Sequence, residues 1–279
     1  SGSASALNTA YSSSGINGLG NEAVTITDTS IDVSALNTLD DKTTATINAS
    51  AVTTLSGSAS ALNTAYSSSG INGLGNEEIL VNSGTSSVSL ANNLSAATSG
   101  VVSATLSDGD MVTLANINEN GNAYSITISD DSIDASAFNT LDNKTTATIN
   151  AAAVTTLSGS ASALNTAYSS SGIDGLGNEA VTITDTSIDV SALNILDANT
   201  TGIINASDLT TLSGSASALN TAYSSSGING LGNEEILVNS GTSSVSLANN
   251  LSAATSGVVS ATLSDLSLIH ISEPTRREG

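Results

Sequence analysis

The sequence has no cysteine and no tryptophan, and it holds a single proline, a single histidine and only four basic residues. Without cysteine the chain has no disulfide framework, no thiolate zinc site and no cysteine nucleophile. Its 25 acidic residues give a formal net charge of −21. We expect so acidic a chain to repel nucleic acid and anionic membrane surfaces, whose binding requires basic patches. No apolar run approaches the ~20 residues that span a bilayer, so we expect no membrane insertion.

Repetition is the main positive feature of the chain. Residues 1–108 and 158–265 are near-duplicate copies that differ at eight positions. A fixed period is the signature of a stacked array in which each unit packs on its neighbours. We therefore expect residues 1–265 to form a repeat solenoid. The segment Ser-Gly-Ser-Ala-Ser-Ala-Leu-Asn-Thr-Ala-Tyr-Ser-Ser-Ser-Gly-Ile begins at Ser1, Ser56, Ser158 and Ser213.

The last residues of the chain, 266–279, do not belong to the array. Residues 266–276 read Leu-Ser-Leu-Ile-His-Ile-Ser-Glu-Pro-Thr-Arg and resemble the in-frame translation of a transposase-based sequencing adapter. The resemblance implies a non-native tail and a truncated array, and such a scar is excluded from fold reasoning. A natural amphipathic tail is the alternative. The chain's histidine, its proline and both arginines lie in this tail.

Short patches rich in β-branched residues recur along the array, with the period of two that is typical of a strand. The segments between them predict short helices, because Leu36 and Leu39 share one helical face, as do Ala59, Leu62 and Tyr66. The successive spacings of the patches are mostly 21 and 34 residues, which predicts a basic coil and a coil with one extra segment. One central residue from each patch gives Ile26, Ile47, Val81, Val102, Ile128, Ile149, Ile183, Ile204, Val238 and Val259.

These patterns predict an α/β solenoid of about ten coils, built from short parallel strands and short helices. Its inner face would carry the ten central residues, with Ile128 between Val102 and Ile149. An all-β parallel solenoid is the alternative, since a 21-residue coil also suits a three-faced β-helix. In the longer segment Ser58 or Ser60 is the predicted helix N-cap, and Gly70 is the predicted left-handed C-cap.

The residue after each central position is a hydroxyl or an amide in all ten patches. Neighbouring residues of a strand point to opposite faces, so this column is predicted to face solvent. One interpretation is a stack of side-chain hydrogen bonds that covers the outer sheet face. The other is a flat polar array that binds a carbohydrate, a mineral or ice. The column consists of Thr27, Asn48, Asn82, Ser103, Ser129, Asn150, Thr184, Asn205, Asn239 and Ser260.

Aspartate-rich turns are the only candidates for a metal site. Calcium takes several carboxylate and carbonyl oxygens, which such turns offer, although the sequence has neither an EF-hand loop nor a β-roll nonapeptide. The other interpretation is that these carboxylates are solvated or cap helices. The candidates are Asp28, Asp32, Asp108, Asp110, Asp130, Asp131, Asp134, Asp185 and Asp189.

We predict no enzymatic activity. Outside the tail the sequence has no histidine, and neither lysine is near enough in sequence to activate a serine. Paired carboxylates for glycoside chemistry need one distinctive cleft, which near-identical copies argue against. We accordingly predict no cofactor, with calcium left open.

The repeat units resemble those of very large secreted or cell-surface proteins of marine picocyanobacteria. The resemblance is carried by residues 34–57 and by Gly-Leu-Gly-Asn-Glu-Ala-Val-Thr-Ile-Thr-Asp at 18–28 and 175–185. It covers almost all of residues 1–265 but rests on repeat sequence, not on a functional motif. It implies an extracellular or cell-surface location and a role in surface layers, adhesion or motility.

Two hypotheses for the function follow. The first is a structural or adhesive repeat segment whose partners are the neighbouring repeats of the same chain. The second is a calcium- or glycan-binding repeat module that uses the aspartate turns and the outer polar column, with divalent cations or surface glycans as partners.

Overall fold

A computed structural model describes residues 1–264, which fold as two compact units. Unit 1 comprises residues 1–156 and 166–176, and unit 2 comprises residues 157–165 and the chain from residue 177 onward. The predicted adapter-derived tail lies outside the described residues. Within residues 1–264, none of the helices has the length and apolar character needed to cross a membrane.

Ten helices lie in the described part of the chain, and each is short. They are α1 (Ala4–Ser12), α2 (Val33–Asp40), α3 (Ala59–Ser67), α4 (Val88–Ala97), α5 (Met111–Leu114), α6 (Ala135–Asp142), α7 (Ala161–Ser169), α8 (Val190–Asn199), α9 (Ala216–Ser224) and α10 (Val245–Ala254).

Nineteen strands of two to six residues alternate with these helices in residues 1–264. They are β1 (Val24–Thr25), β2 (Ser30–Asp32), β3 (Ile47–Asn48), β4 (Thr54–Ser58), β5 (Ile71–Asn72), β6 (Glu78–Ser83), β7 (Val102–Thr105), β8 (Ala123–Thr127), β9 (Ser132–Asp134), β10 (Ile149–Asn150), β11 (Thr156–Gly159), β12 (Ile173–Asp174), β13 (Ala180–Ile183), β14 (Ser187–Asp189), β15 (Ile204–Asn205), β16 (Thr211–Gly214), β17 (Ile228–Asn229), β18 (Glu235–Val238) and β19 (Val259–Ser260).

A typical coil contains a first strand, a second strand and a helix that leads to the next coil. In unit 1, β3, β4 and α3 form one such coil, and β5, β6 and α4 form the next. Parallel pairing aligns Val24 with Ile47 and Ile47 with Ile71, so a coil here advances the chain by 23 or 24 residues. The predicted α/β solenoid is confirmed, and the all-β alternative is wrong because helices alternate with the strands throughout.

All the strand pairs in each unit are parallel. Unit 1 contains one sheet in the order β1-β3-β5 and a second in the order β12-β10-β8-β7-β6-β4-β2. In unit 2, β13, β15 and β17 pair in that order, and so do β14, β16, β18 and β19. Parallel pairing follows from the connections, because a helix or loop returns the chain to the same end of the sheet before the next strand begins.

The core is built from apolar ladders on the inner faces of the sheets. In unit 1, Ile31, Leu55, Ile79 and Val102 follow one another across four paired strands and are buried. Nine of the ten residues that the sequence assigns to the inner face are buried, and Val259 is half-buried. The period-two pattern therefore identified the buried face.

The predicted spacing of 21 and 34 residues is wrong. Most coils contribute two strands, and the ten central residues fall on first strands in some coils and on second strands in others. Ile47 lies in β3, a first strand, whereas Val81 lies in β6, a second strand. The segment interpreted as an extra element is α3, which is the helix of an ordinary coil.

The predicted neighbours of Ile128 are wrong by two residues. Ile149 pairs with Ile126, and the Ile128 N–H donates to the Asn150 carbonyl at 2.9 Å. Val102 lies beside Asn122, whose Oδ1 accepts the Val102 N–H at 2.8 Å. A slip of two residues leaves every side chain on its own face, which is why burial was predicted correctly although pairing was not.

Ser58 is the N-cap of α3, as predicted, and its hydroxyl accepts the Ala61 N–H at 3.2 Å. The prediction that Gly70 is the left-handed C-cap is wrong, because α3 ends at Ser68 in an extended conformation. A side chain at position 70 would overlap the Asp40 carboxylate, so close approach accounts for the glycine.

Asparagine side chains join the helices of successive coils. Asn37 Nδ2 donates to the Ala61 carbonyl at 2.9 Å and so connects α2 to α3. Asn8 makes the same contact from α1 to α2 at 2.8 Å, and Asn194 makes it from α8 to α9 at 3.0 Å. The asparagine of each Ala-Leu-Asn segment thus supplies a polar contact beside the apolar core.

Candidate functional site

Four of the nine candidate aspartates cap a helix that belongs to the preceding coil. In α1 the first helical N–H, that of Ala4, donates to Asp28 Oδ2 at 2.7 Å. The first N–H of α7, that of Ala161, donates to Asp185 at 2.6 Å. Asp108 and Asp130 accept the corresponding N–H groups of α4 and α5 at 2.7 and 2.6 Å.

Four further candidates are the N-caps of their own helices, and they are Asp32, Asp110, Asp134 and Asp189. Each carboxylate accepts a backbone N–H in the first turn, which an N-cap residue characteristically does. The backbone N–H of Thr113 lowers the pKa of Asp110, because the hydrogen bond favours the charged carboxylate. The negative charges also lie at the positive ends of the helix dipoles.

Asp131 is the ninth candidate, and its printed contacts are made by its main chain. Its carbonyl accepts the N–H groups of Thr155 and Thr156 at 2.9 Å each. Eight of the nine candidate carboxylates are therefore used to close helix ends, and the structure does not gather the nine into one site. Within residues 1–264 no three acidic, histidine or cysteine side chains come close enough together to hold a metal ion.

The capping role predicts a measurable loss of stability. We expect Asp185→Ala to lower the free energy of unfolding by about 1 kcal/mol, because it removes a charged acceptor from the first N–H of α7. The control is Asp208→Ala, which restores the alanine that the other copy carries as Ala51. Urea denaturation of both variants tests this, and equal stability of the two would contradict the capping role.

Nine residues of the predicted outer polar column are exposed, and Ser103 is half-buried. The column is not a continuous ladder, because its members are not all register partners. Thr25, not Thr27, pairs with Asn48, and the next partner of Asn48 is Asn72, which the prediction omitted. Three short outward ladders result, namely Thr25–Asn48–Asn72, Thr127–Asn150–Asp174 and Thr182–Asn205–Asn229.

The central asparagine of each ladder also shapes the turn that follows its strand. Asn48 Oδ1 accepts the Ser50 N–H at 3.0 Å. Asn150 and Asn205 make the same contact two residues on, at 3.0 and 3.1 Å. This is the Asx turn, in which asparagine holds its own backbone, so these side chains have a structural role in addition to their exposure.

Three fully buried glutamates, Glu77, Glu179 and Glu234, were missed by the sequence analysis. Glu77 accepts the Gly75 N–H at 3.0 Å on Oε1 and at 2.8 Å on Oε2. The Tyr66 hydroxyl donates to Glu77 Oε2 at 2.7 Å. Hydrogen bonds to a buried carboxylate compensate part of its desolvation cost, and they hold the Gly-Leu-Gly-Asn-Glu loop closed.

The same arrangement recurs in unit 2, where Tyr223 donates to Glu234 at 2.7 Å. Burial raises the pKa of the Tyr66 and Tyr223 phenols, and the hydrogen-bonded carboxylates raise it further. In the first copy Glu22 is half-buried, and the Gly20 N–H lowers its pKa. The signal that could have revealed this cluster is a tyrosine eleven residues before the glutamate in every copy of the loop.

The cavities offer no arrangement for acid–base chemistry. One of about 160 Å³ lies between α5 and α6 and is lined mainly by Met111, Leu114 and Leu141. Its only charged lining group is Lys144, whose Nζ donates to the Asn118 carbonyl at 3.2 Å. A second groove, along α1, is lined by serine, threonine, asparagine and alanine side chains. Neither cavity holds a nucleophile beside a base.

Comparisons of the chain with protein-family models, with curated proteins and with solved structures find no match.

Proposed function

We propose that the chain is a non-catalytic structural or adhesive repeat segment of a large extracellular or cell-surface protein, and that the number of coils sets its reach. One observation carries the proposal: the contacts between coils are the same in both copies. Asn37 and Asn194 bridge equivalent helices, and Asp28 and Asp185 cap equivalent helix ends. Selection for coil stacking accounts for such recurrence without any privileged site.

The physical argument concerns how stability grows with length. The apolar ladders, asparagine bridges and aspartate caps connect a coil to its neighbours in sequence, so added coils bring their own stabilising contacts. The proposed extracellular location rests on the resemblance to surface-protein repeats. The absence of cysteine and the acidic composition are compatible with that setting.

Deletion of residues 180–234 tests the proposal. The deletion joins Glu179 to Glu235 and recreates the Asn-Glu-Glu-Ile junction that is already present at 76–79 and 233–236. Because it removes α8 and α9 with their strands, we expect a folded protein whose maximum dimension in small-angle scattering is shorter by about 10 Å, which is two strand spacings.

A matched control is the deletion of residues 180–221, which ends inside α9 and so breaks a coil. We expect this variant to lose helical circular dichroism well beyond the removed residues. If both deletions unfolded the protein, long-range contacts would dominate and a role set by coil number would be untenable.

The competing proposal is a cation- or glycan-binding repeat module, and the three exposed Thr-Asn ladders favour its glycan form. Calorimetry separates the two proposals. For a structural segment we expect no heat of binding with millimolar calcium, magnesium or oligosaccharides and no shift in melting temperature. Saturable heat that is lost on Asn48→Ala would establish the binding module instead.

A further inference from the structure

Four Asn-Gly dipeptides lie exposed in the described part of the chain. In each, the glycine has a φ between 87° and 91°. Glycine has no side chain to block the approach of its own nitrogen to the preceding asparagine side chain. The dipeptides are Asn17-Gly18, Asn72-Gly73, Asn120-Gly121 and Asn229-Gly230.

We propose that these asparagines are sites of spontaneous modification, in which water converts the amide into a carboxylate through a cyclic imide. In the first step the Gly73 nitrogen forms a bond to Asn72 Cγ, and the Cγ–Nδ2 bond breaks. Ammonia leaves with the proton that the glycine nitrogen loses. Water then adds to one carbonyl of the ring, and opening of the ring gives aspartate or isoaspartate. The balance is asparagine and water in, aspartate or isoaspartate and ammonia out.

The chain itself shows that the fold accepts the aspartate product. The fourth copy of the segment has Asp174 where the other three have asparagine. Ile173 and Asp174 pair with Ile149 and Asn150 as Ile71 and Asn72 pair with the preceding strand. Conversion to aspartate therefore adds a negative charge to an outward ladder without abolishing the strand.

The structure also predicts which sites react first. Asn72 and Asn229 lie in β5 and β17, and their carbonyls accept the N–H groups of Ala49 and Ala206 at 2.8 Å. Ring closure must rotate the bond that carries this carbonyl, so the ladder has to open first. Asn17 belongs to none of the described strands, although its segment has the same sequence.

The experiment compares these identical segments within one protein. Residues 1–22, 56–77 and 213–234 have the same sequence, so any difference in rate between Asn17, Asn72 and Asn229 comes from structure. The protein is incubated in mildly alkaline buffer, either folded or in urea, then denatured and cleaved after glutamate. The four sites fall in four different peptides, and mass spectrometry follows the gain of about 1 Da that each conversion gives.

In the folded protein we expect Asn17 and Asn120 to convert roughly tenfold faster than Asn72 and Asn229, because the latter two react only after local opening. In urea the three identical segments should convert at one rate. Asn17→Gln should remove the rapid gain from its peptide alone. Equal rates in the folded protein would overturn ladder protection, and an unchanged Asn17 peptide in folded protein whose urea arm reacts would overturn the proposal.

Discussion

Ile128→Ala is expected to lower the free energy of unfolding by about 2–5 kcal/mol, the usual cost of emptying a packed aliphatic site. The Ile128 side chain is 1% exposed. It follows β8, and its N–H donates to the Asn150 carbonyl of the next coil. Shortening it leaves a cavity between stacked coils that hydrogen-bonded strands cannot readily close. Urea denaturation followed by circular dichroism measures the effect.

The control is the next residue. Ser129 is exposed, and its N–H donates to the Gly109 carbonyl through the main chain, which alanine preserves. Ser129→Ala should therefore change stability by no more than about 0.5 kcal/mol. If it proved the more damaging of the pair, the assignment of inner and outer faces at this strand would be reversed.

The facing of side chains could be predicted from the sequence, whereas their pairing could not. Alternation of apolar and polar residues determines which side chains are buried, and Ile26, Ile47 and Ile128 are buried accordingly. Pairing depends on where each coil begins, and two strands per coil make a shift of two residues invisible to that alternation. The sequence pattern predicted Ile149 beside Ile128, but the structure pairs it with Ile126.

The site divides in the same way. Aspartates were identified as ligands or caps from their position near turns, but only the three-dimensional structure shows that Asp28 reaches the helix of another coil. Glu77 was overlooked because a charged residue in a glycine-rich segment normally indicates an exposed loop. Its burial arises from contacts with Tyr66 and Gly75, which no local pattern of hydrophobicity records.

Glu77→Ala is expected to lower the free energy of unfolding by about 3 kcal/mol, since it leaves a buried N–H and a tyrosine hydroxyl without their charged acceptor. Glu78 supplies the control, because it is the adjacent residue, has the same chemistry and is exposed. Glu78→Ala should change stability by no more than about 0.5 kcal/mol. Urea denaturation of the two variants, monitored by circular dichroism, makes the comparison.

Two opposing effects decide the sign of the Glu77 result. Burying a carboxylate costs several kcal/mol, and replacing buried charges by apolar groups stabilises some proteins. Here alanine does not fill the site, and the Gly75 N–H and Tyr66 hydroxyl stay buried, so we expect the lost hydrogen bonds to dominate. A Glu77→Ala variant as stable as Glu78→Ala would show that desolvation of the carboxylate cancels its hydrogen bonds.

A double-mutant cycle with Tyr66→Phe isolates the contact between the two side chains. Tyr66→Phe removes one donor to Glu77 and leaves both Gly75 contacts in place. We expect a coupling free energy of about 1–2 kcal/mol, which lies within the range for residues that share one hydrogen-bond network. Strict additivity would mean that the tyrosine hydroxyl contributes nothing to holding the carboxylate, and that the Gly75 N–H alone closes the loop.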